Sequence, residues 1–134
     1  MVIIQPIHVK QAWPIRHRLM TPEKDRQSSL PKDELGDHFG LFENDELVSV
    51  GSIYRDGALA QFRKFATVEE KQRQGYGTQL LSHVIDYCKT QGIKKVWLNA
   101  KEKDLHFYQT LGFTTTDTTF KKDEINFFVV EREI

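Results

Sequence analysis

Stretches of period two and period 3.6 follow one another along this chain, and their order predicts its elements. Val2, Ile3, Ile4 and Ile7 mark an opening strand over residues 1–7. Val9, Ala12, Trp13, Arg16, Leu19 and Met20 recur at helical spacing, with Pro14 assigned to a first turn or a kink. Thr21 to Asp37 is dense in turn formers and charge and reads as a loop with room for a short helix. His38 to Glu43, Leu47 to Tyr54 and Ala58 to Thr67 read as three strands joined by Asn44-Asp45 and Asp56-Gly57, an antiparallel meander. Gly75 to Gln91 reads as a helix with Leu81, Val84, Ile85 and Cys88 on one face and Gly92 placed to end it. Lys95 to Asn99 is a short strand of the buried type. Glu102 to Thr110 is a short helix stopped by Leu111-Gly112, and the chain from Phe113 and from Ile125 to Val130 forms two last strands.

The order is strand, helix, three strands, helix, strand, helix, two strands. The strand–helix–strand unit from Ala58 to Asn99 sets its two strands parallel through a right-handed crossover. The predicted fold class is α/β (α+β): a mixed, mostly antiparallel central sheet with helices on both faces. A length of 134 residues fits one domain, 1–134, with a real core.

Composition narrows the function classes. Lys plus Arg and Asp plus Glu both number 19, which removes any whole-chain case for nucleic acid or a membrane surface. The single cysteine, Cys88, excludes an internal disulfide and points to a reducing compartment. The opening MVIIQPIHVK is too short in apolar residues for a signal segment, and no apolar run approaches the roughly 18 residues of a membrane span. The expected setting is the cytoplasm.

Candidate chemistry concentrates in KQRQGYGTQLL, residues 71–81. A strand, a glycine loop and then a helix N-terminus make an anion site, because unpaired N–H groups and the positive dipole end point the same way. The dinucleotide pattern fails because Leu80 stands where its third glycine belongs, and the P-loop fails for want of Gly-Lys-Ser/Thr. What remains is Gln72-x-x-Gly75-x-Gly77, read either as a ligand loop or as a joint before a helix.

That loop, followed by HFYQTLGF at residues 106–113, resembles the GNAT N-acetyltransferases. The first segment is similar to their coenzyme A pyrophosphate loop. The second is similar to a Tyr-containing segment that ends in Leu-Gly-Phe. The match covers roughly Leu59 to Phe113, and the meander before it resembles the family's first hairpin less specifically.

The resemblance implies a GNAT-like sheet in which two parallel strands splay at the cofactor site. It implies an acetyl-CoA-dependent N-acetyltransferase, with acetyl-CoA as co-substrate and no metal. The pantetheine arm would pair with the strand end Phe65, Ala66 and Thr67, as an added strand would. The pyrophosphate would lie against backbone N–H groups of Gln72, Arg73, Gln74, Gly75, Tyr76, Gly77 and Thr78. Lys71 and Arg73 would either help neutralise phosphate or form a solvated basic pair. Tyr108 would be the general acid that protonates the departing thiolate, unless it is a core tyrosine beside Phe107. A backbone N–H near Phe65–Thr67 would hold the oxyanion. Asn99 would face the same gap or cap the helix near Glu102.

Other positions stay open at this level. His38, His83 and His106 are each offered as a base against a structural role, beside deprotonation of the acceptor through water. Asp104 departs from the family pattern, which has a small residue there. Cys88 reads as core, which disfavours a cysteine nucleophile. Asp33, Glu34 and Asp37 form either an acidic wall for a cationic amine or a solvated loop. Trp13 and Trp97 read as core, while Phe120, Phe127 and Phe128 are divided between core, acceptor wall and dimer surface. The edge of Ile125–Val130 is a candidate surface for a homodimer. Expected partners are a small-molecule or peptide amine, with neither nucleic acid nor a membrane. A non-catalytic acyl-CoA-binding or regulatory module and a different phosphate-ligand protein are the competing functions.

Overall fold

The computed structural model describes residues 1–19 and 33–134. The loop expected from Thr21 therefore lies mostly outside the described residues. Among these, the elements in chain order are β1 (Val2–Pro6), α1 (Val9–Leu19), β2 (Asp37–Glu43), β3 (Glu46–Asp56), β4 (Leu59–Thr67), α2 (Tyr76–Thr90), β5 (Lys95–Lys101), α3 (Leu105–Thr110), β6 (Thr114–Lys122) and β7 (Ile125–Glu133). Single turns of 3-10 helix occupy Asp33–Leu35, Glu69–Lys71 and Glu102–Asp104. Each predicted element is present, with Pro14 inside α1.

Turn chemistry accounts for the hairpins. Asn44 and Asp45 both take positive φ, at 49° and 71°, the conformation a two-residue hairpin needs and that Asn and Asp tolerate. Gly92 follows α2 at φ +76°, and the Ile93 N–H returns to the Cys88 carbonyl at 3.1 Å.

The strands form one sheet in the order β1-β2-β3-β4-β5-β7-β6. Every neighbouring pair is antiparallel except β4 with β5. That parallel pairing covers only Leu59–Lys95, Ala60–Val96 and Gln61–Trp97, after which the strands part. One residue more on β4 than on β3 separates Ser52–Arg63 from Val50–Ala66, a bulge in which Lys64 takes φ +56°. The parallel pair and the splay agree with the sequence reading.

The dimer edge proposed for Ile125–Val130 does not exist. β7 is paired on both sides, with β5 and with β6, so its backbone groups serve the sheet. The sheet's edges are β1 and β6.

The helices sit on opposite faces. A Cβ on Gly51 would touch Phe62 and Leu80, so these residues and α2 share a face. Arg16 of α1 reaches Ser52, the next position on β3, so α1 lies on the other. Leu80, Leu81, Val84, Ile85 and Cys88 of α2 are fully buried against the sheet. No described helix is long and apolar enough to cross a membrane.

Candidate active site

The parting of β4 and β5 leaves a cleft of about 570 Å3. Its lining includes Phe65, Ala66 and Thr67 from β4, Gln72 from the loop, and Tyr108 from α3. These five expected residues therefore meet in one place. Lys64, Lys101, Lys103, Asp104, Phe107, Lys122, Asp123, Ile125 and Phe127 complete it.

The end of β4 offers backbone to this gap. The Val68 N–H bonds the Val48 carbonyl at 2.8 Å. Antiparallel alternation then turns the N–H and carbonyl of Thr67 away from β3. The Thr67 carbonyl accepts the Gln72 amide at 2.9 Å, so Gln72 pins the loop to the strand it leaves.

From that pin the chain runs through Arg73 at φ +65° and Gly75 at φ +83° into α2. Gly75 is the N-cap of α2, with no capping side chain, and its carbonyl takes the Gln79 N–H at 3.0 Å. Among the described residues, none of the N–H groups of 73–78 has a protein acceptor. Six consecutive donors at a positive dipole end suit a diphosphate.

The two glycines owe their place to different causes. Gly75 has open space where a Cβ would stand, but a positive φ that side chains resist. Gly77 has an ordinary φ, but a Cβ there would stand 2.8 Å from Cζ of Phe65. Phe65 in turn packs on Phe62, with ring centroids 5.2 Å apart, and stacks on Phe107 at 6.1 Å. Gly77 thus lets α2 close onto the aromatic wall of the cleft.

Neighbouring side chains are held by Glu43 rather than left for a ligand. Lys71 Nζ lies 2.5 Å from Glu43, and the Tyr76 hydroxyl also donates to that carboxylate. The hydrogen bonds from Lys71 and then Tyr76 lower the Glu43 pKa, while donating to Glu43 raises that of Lys71. The expected choice for Lys71, phosphate partner or solvated cation, resolves to neither.

Tyr108 is buried within the cleft wall, edge-on to Phe107 and Phe113. Its hydroxyl has no hydrogen-bond partner among the described residues. Burial, with a smaller contribution from the Asp104 carboxylate, pushes its pKa well above the ordinary phenol range. The phenol is protonated at any physiological pH. Asp104 lines the cleft four residues before it, half-buried.

Several expected residues stand elsewhere. Asn99 is exposed, pairs in register with Val129, and is not among the lining residues. The helical turn at Glu102 has Lys101 as its N-cap, without a side-chain bond. His38 is buried between the Ser52 hydroxyl and the Asp33 carbonyl, 2.7 Å from each. His83 faces the Phe39 ring from α2, and His106 is exposed. None of the three lines the cleft. Cys88 is fully buried, and burial pushes its thiol up to about 11.

The acidic wall is corrected for two of its three members. Asp33 is buried and bonds both oxygens to the Arg16 guanidinium, at 3.1 and 3.0 Å. Trp13 and Tyr54 donate to it as well, at 3.1 and 2.7 Å, so Trp13 is a partly buried hydrogen-bond donor. Burial and the bond to Asp33 push the Tyr54 phenol up to about 12. Asp37 pairs with Arg55 at 2.9 Å. Glu34 alone of the three is exposed.

Sequence reasoning missed the lysines of the cleft, Lys64, Lys101, Lys103 and Lys122. No local pattern marks them, since register alone brings Lys122 near Lys101. The bulge at Lys64 was also unsignalled, because no glycine marks its positive φ.

Comparison with known proteins bears on this cleft. A model of the acetyltransferase (GNAT) domain matches residues 17–134. An uncharacterized N-acetyltransferase of Bacillus subtilis, YitI, is 25% identical over 123 residues, which are 84% of this chain and 83% of YitI. A GNAT family acetyltransferase from Elizabethkingia anophelis, solved with acetyl-CoA bound, superposes with a TM-score of 0.79 at 21% identity, over 99% of this chain and 98% of that one. An acyl-CoA N-acyltransferase from Pseudomonas aeruginosa gives 0.86 at 14% identity, over 98% and 99%.

Proposed function

This chain belongs to the GNAT acetyltransferase family and is an acetyl-CoA-dependent N-acetyltransferase, and from that premise we propose how its own residues carry the reaction, as one domain over 1–134. The observation that carries the reading is one cleft in which a split strand pair and a protonated Tyr108 meet Gln72, the residue from which the run of unpaired N–H donors follows.

The N–H groups of Arg73 to Thr78 take the pyrophosphate of acetyl-CoA, with Gln72 holding their loop against Thr67. The pantetheine arm lies along Phe65–Thr67, where β4 has lost β5. The neutral amine attacks the thioester carbon. Negative charge collects on the carbonyl oxygen, which the Thr67 N–H stabilises. The C–S bond then breaks, the sulfur takes the Tyr108 proton, and the new amide loses its extra proton to water. A buried phenol is a weak acid, but burial in the same cleft makes the coenzyme A thiolate a stronger base too. Solvent reprotonates Tyr108. The acceptor is a small-molecule or peptide amine, and the lone Cys88 supports a cytoplasmic setting.

The test is release of free thiol from acetyl-CoA with a panel of amines, for wild type and Tyr108→Phe. Turnover that falls at least a hundredfold in the variant, with unchanged acetyl-CoA affinity, supports the assignment. Binding of acetyl-CoA without turnover of any amine would return the chain to a non-catalytic acyl-CoA module.

A further inference from the structure

The gap between β4 and β5 opens on both faces of the sheet, and register assigns residues to each. Ala60 and Phe62 face α2, and Ala60 pairs with Val96, so Leu98 and Ala100 follow on that face. Trp97, Asn99 and Lys101 project to the face of α1. Lys101 pairs with Phe127, Phe127 with Phe120, and Lys122 with Ile125, so these side chains share the α1 face. The donors at the start of α2 and the Phe65–Phe107 stack belong to the other face. A coenzyme anchored at the start of α2 fills the gap from that side and leaves the α1 side for the acceptor.

Acids and lysines both stand at this second mouth, and two of the lysines are unpaired. Lys101 and Lys122 both line the cleft, and neither has an acidic partner among the described residues. The acids nearby have weak contacts of their own. Glu124 lies 3.7 Å from Lys121, and Glu102 accepts from Asn126 at 3.4 Å. Lys64 and Asp123 have interactions of their own and do not enter the count. Asp104, the last residue of the turn before α3, lines the same cleft and acts on Tyr108. Between the lysines lies an apolar strip, in which Phe120 and Phe127 stack at 5.0 Å beside the exposed Ile125. The chain as a whole carries no net charge, so this is a local arrangement.

We propose that Lys101 and Lys122 are specificity residues which select an acceptor bearing an anionic group, carboxylate or phosphate, on the same molecule as its amine, with an apolar body against Phe127 and Ile125. The proposal rests on the acetyl-transfer reading above. Two ammonium groups attract such an acceptor and repel polyamines and other polycations.

Matched acceptors test it: L-phenylalanine against L-phenylalaninamide for a carboxylate, and tyramine O-phosphate against tyramine for a phosphate. In wild type, kcat/KM favours the anionic member of at least one pair by tenfold or more. In the Lys101→Glu/Lys122→Glu double variant that preference collapses at least tenfold, while acetyl-CoA affinity holds. Equal or reversed preference in wild type, or a preference that survives in the variant, would overturn the proposal. If no acceptor turns over, N-acetyl-L-phenylalanine and its amide are titrated by NMR into protein saturated with coenzyme A. Tighter binding of the carboxylate supports the proposal, and equal binding or none overturns it. Failure of wild type to bind acetyl-CoA would instead overturn the acetyl-transfer reading, and this inference with it.

Discussion

The two faces of the sheet are proposed to recognise their ligands by different means. On the α2 face the proposed contacts are backbone N–H groups of 73–78, which have no acceptor among the described residues. On the α1 face the groups are side chains, in two contrasting states. Arg16 and Asp33 are buried and paired, whereas Lys101 and Lys122 are exposed and unpaired. Recognition through backbone depends on short-range spacing, while recognition through side chains depends on which strands become neighbours. Charge type therefore says little by itself: Asp33 is buried while Lys101 is exposed.

The contrast breaks most sharply at Asp33. Asp33→Ala strands a buried guanidinium, which should cost about 3–5 kcal/mol, read as a lowered midpoint in urea. Acetyl-CoA affinity of the protein that remains folded should be unchanged. A loss of affinity with intact stability would place Asp33 in the ligand site.

Next comes Gly77, where packing and binding meet. Gly77→Leu should destabilise by about 1–3 kcal/mol through overpacking against Phe65, and weaken acetyl-CoA binding as well. Combining it with Phe65→Ala should recover part of the stability, a coupling measurable by a double-mutant cycle. Gly75→Ala, with open space but strained backbone, should cost only about 1 kcal/mol and show no coupling to Phe65.

The pH dependence separates the two buried acids on the α2 face from ordinary ones. Tyr108 has a folded pKa raised above its unfolded value near 10, so its stabilising contribution is present below that value and declines as pH rises past it. Its phenol should cause no loss of kcat up to about pH 10. Cys88, pushed up to about 11, should resist thiol reagents in the native state and react only on unfolding. A fast-reacting native thiol would contradict its burial.

The smallest effect is expected at Gln72. Gln72→Ala removes one exposed hydrogen bond to Thr67, so stability should move by about 1 kcal/mol or less. Acetyl-CoA affinity should fall several-fold as the loop loses its pin.

How much of this was legible follows the same division. The helix of 76–90 could be read because Leu81, Val84, Ile85 and Cys88 repeat at helical spacing, and the loop because its glycines stand three and five residues after Gln72. The bulge could not, because Lys64 adopts a positive φ under the constraint of its neighbours rather than by its own preference. The placing of β7 inside the sheet could not either, since INFFVV suits an edge or an interior strand equally. Gly77 was read as part of a ligand loop or a joint, while its contact with Phe65, twelve residues earlier, is visible only once α2 has docked.

The three-residue pairing of β4 with β5 has a further consequence, for motion and folding. It divides the sheet into a meander, β1 to β4, and a second ribbon, β5 with β7 and β6, each of whose other pairings lie within its own stretch of the chain. Two such units are natural foldons, with the seam between them as the last part to zip and the first to open. Amides on the gap side of Arg63–Thr67 should exchange hydrogen early in the unliganded protein, although they lie mid-sheet. A ligand laid along the seam would act as a missing strand, and its occupancy would be recorded as slowed exchange in both halves at once.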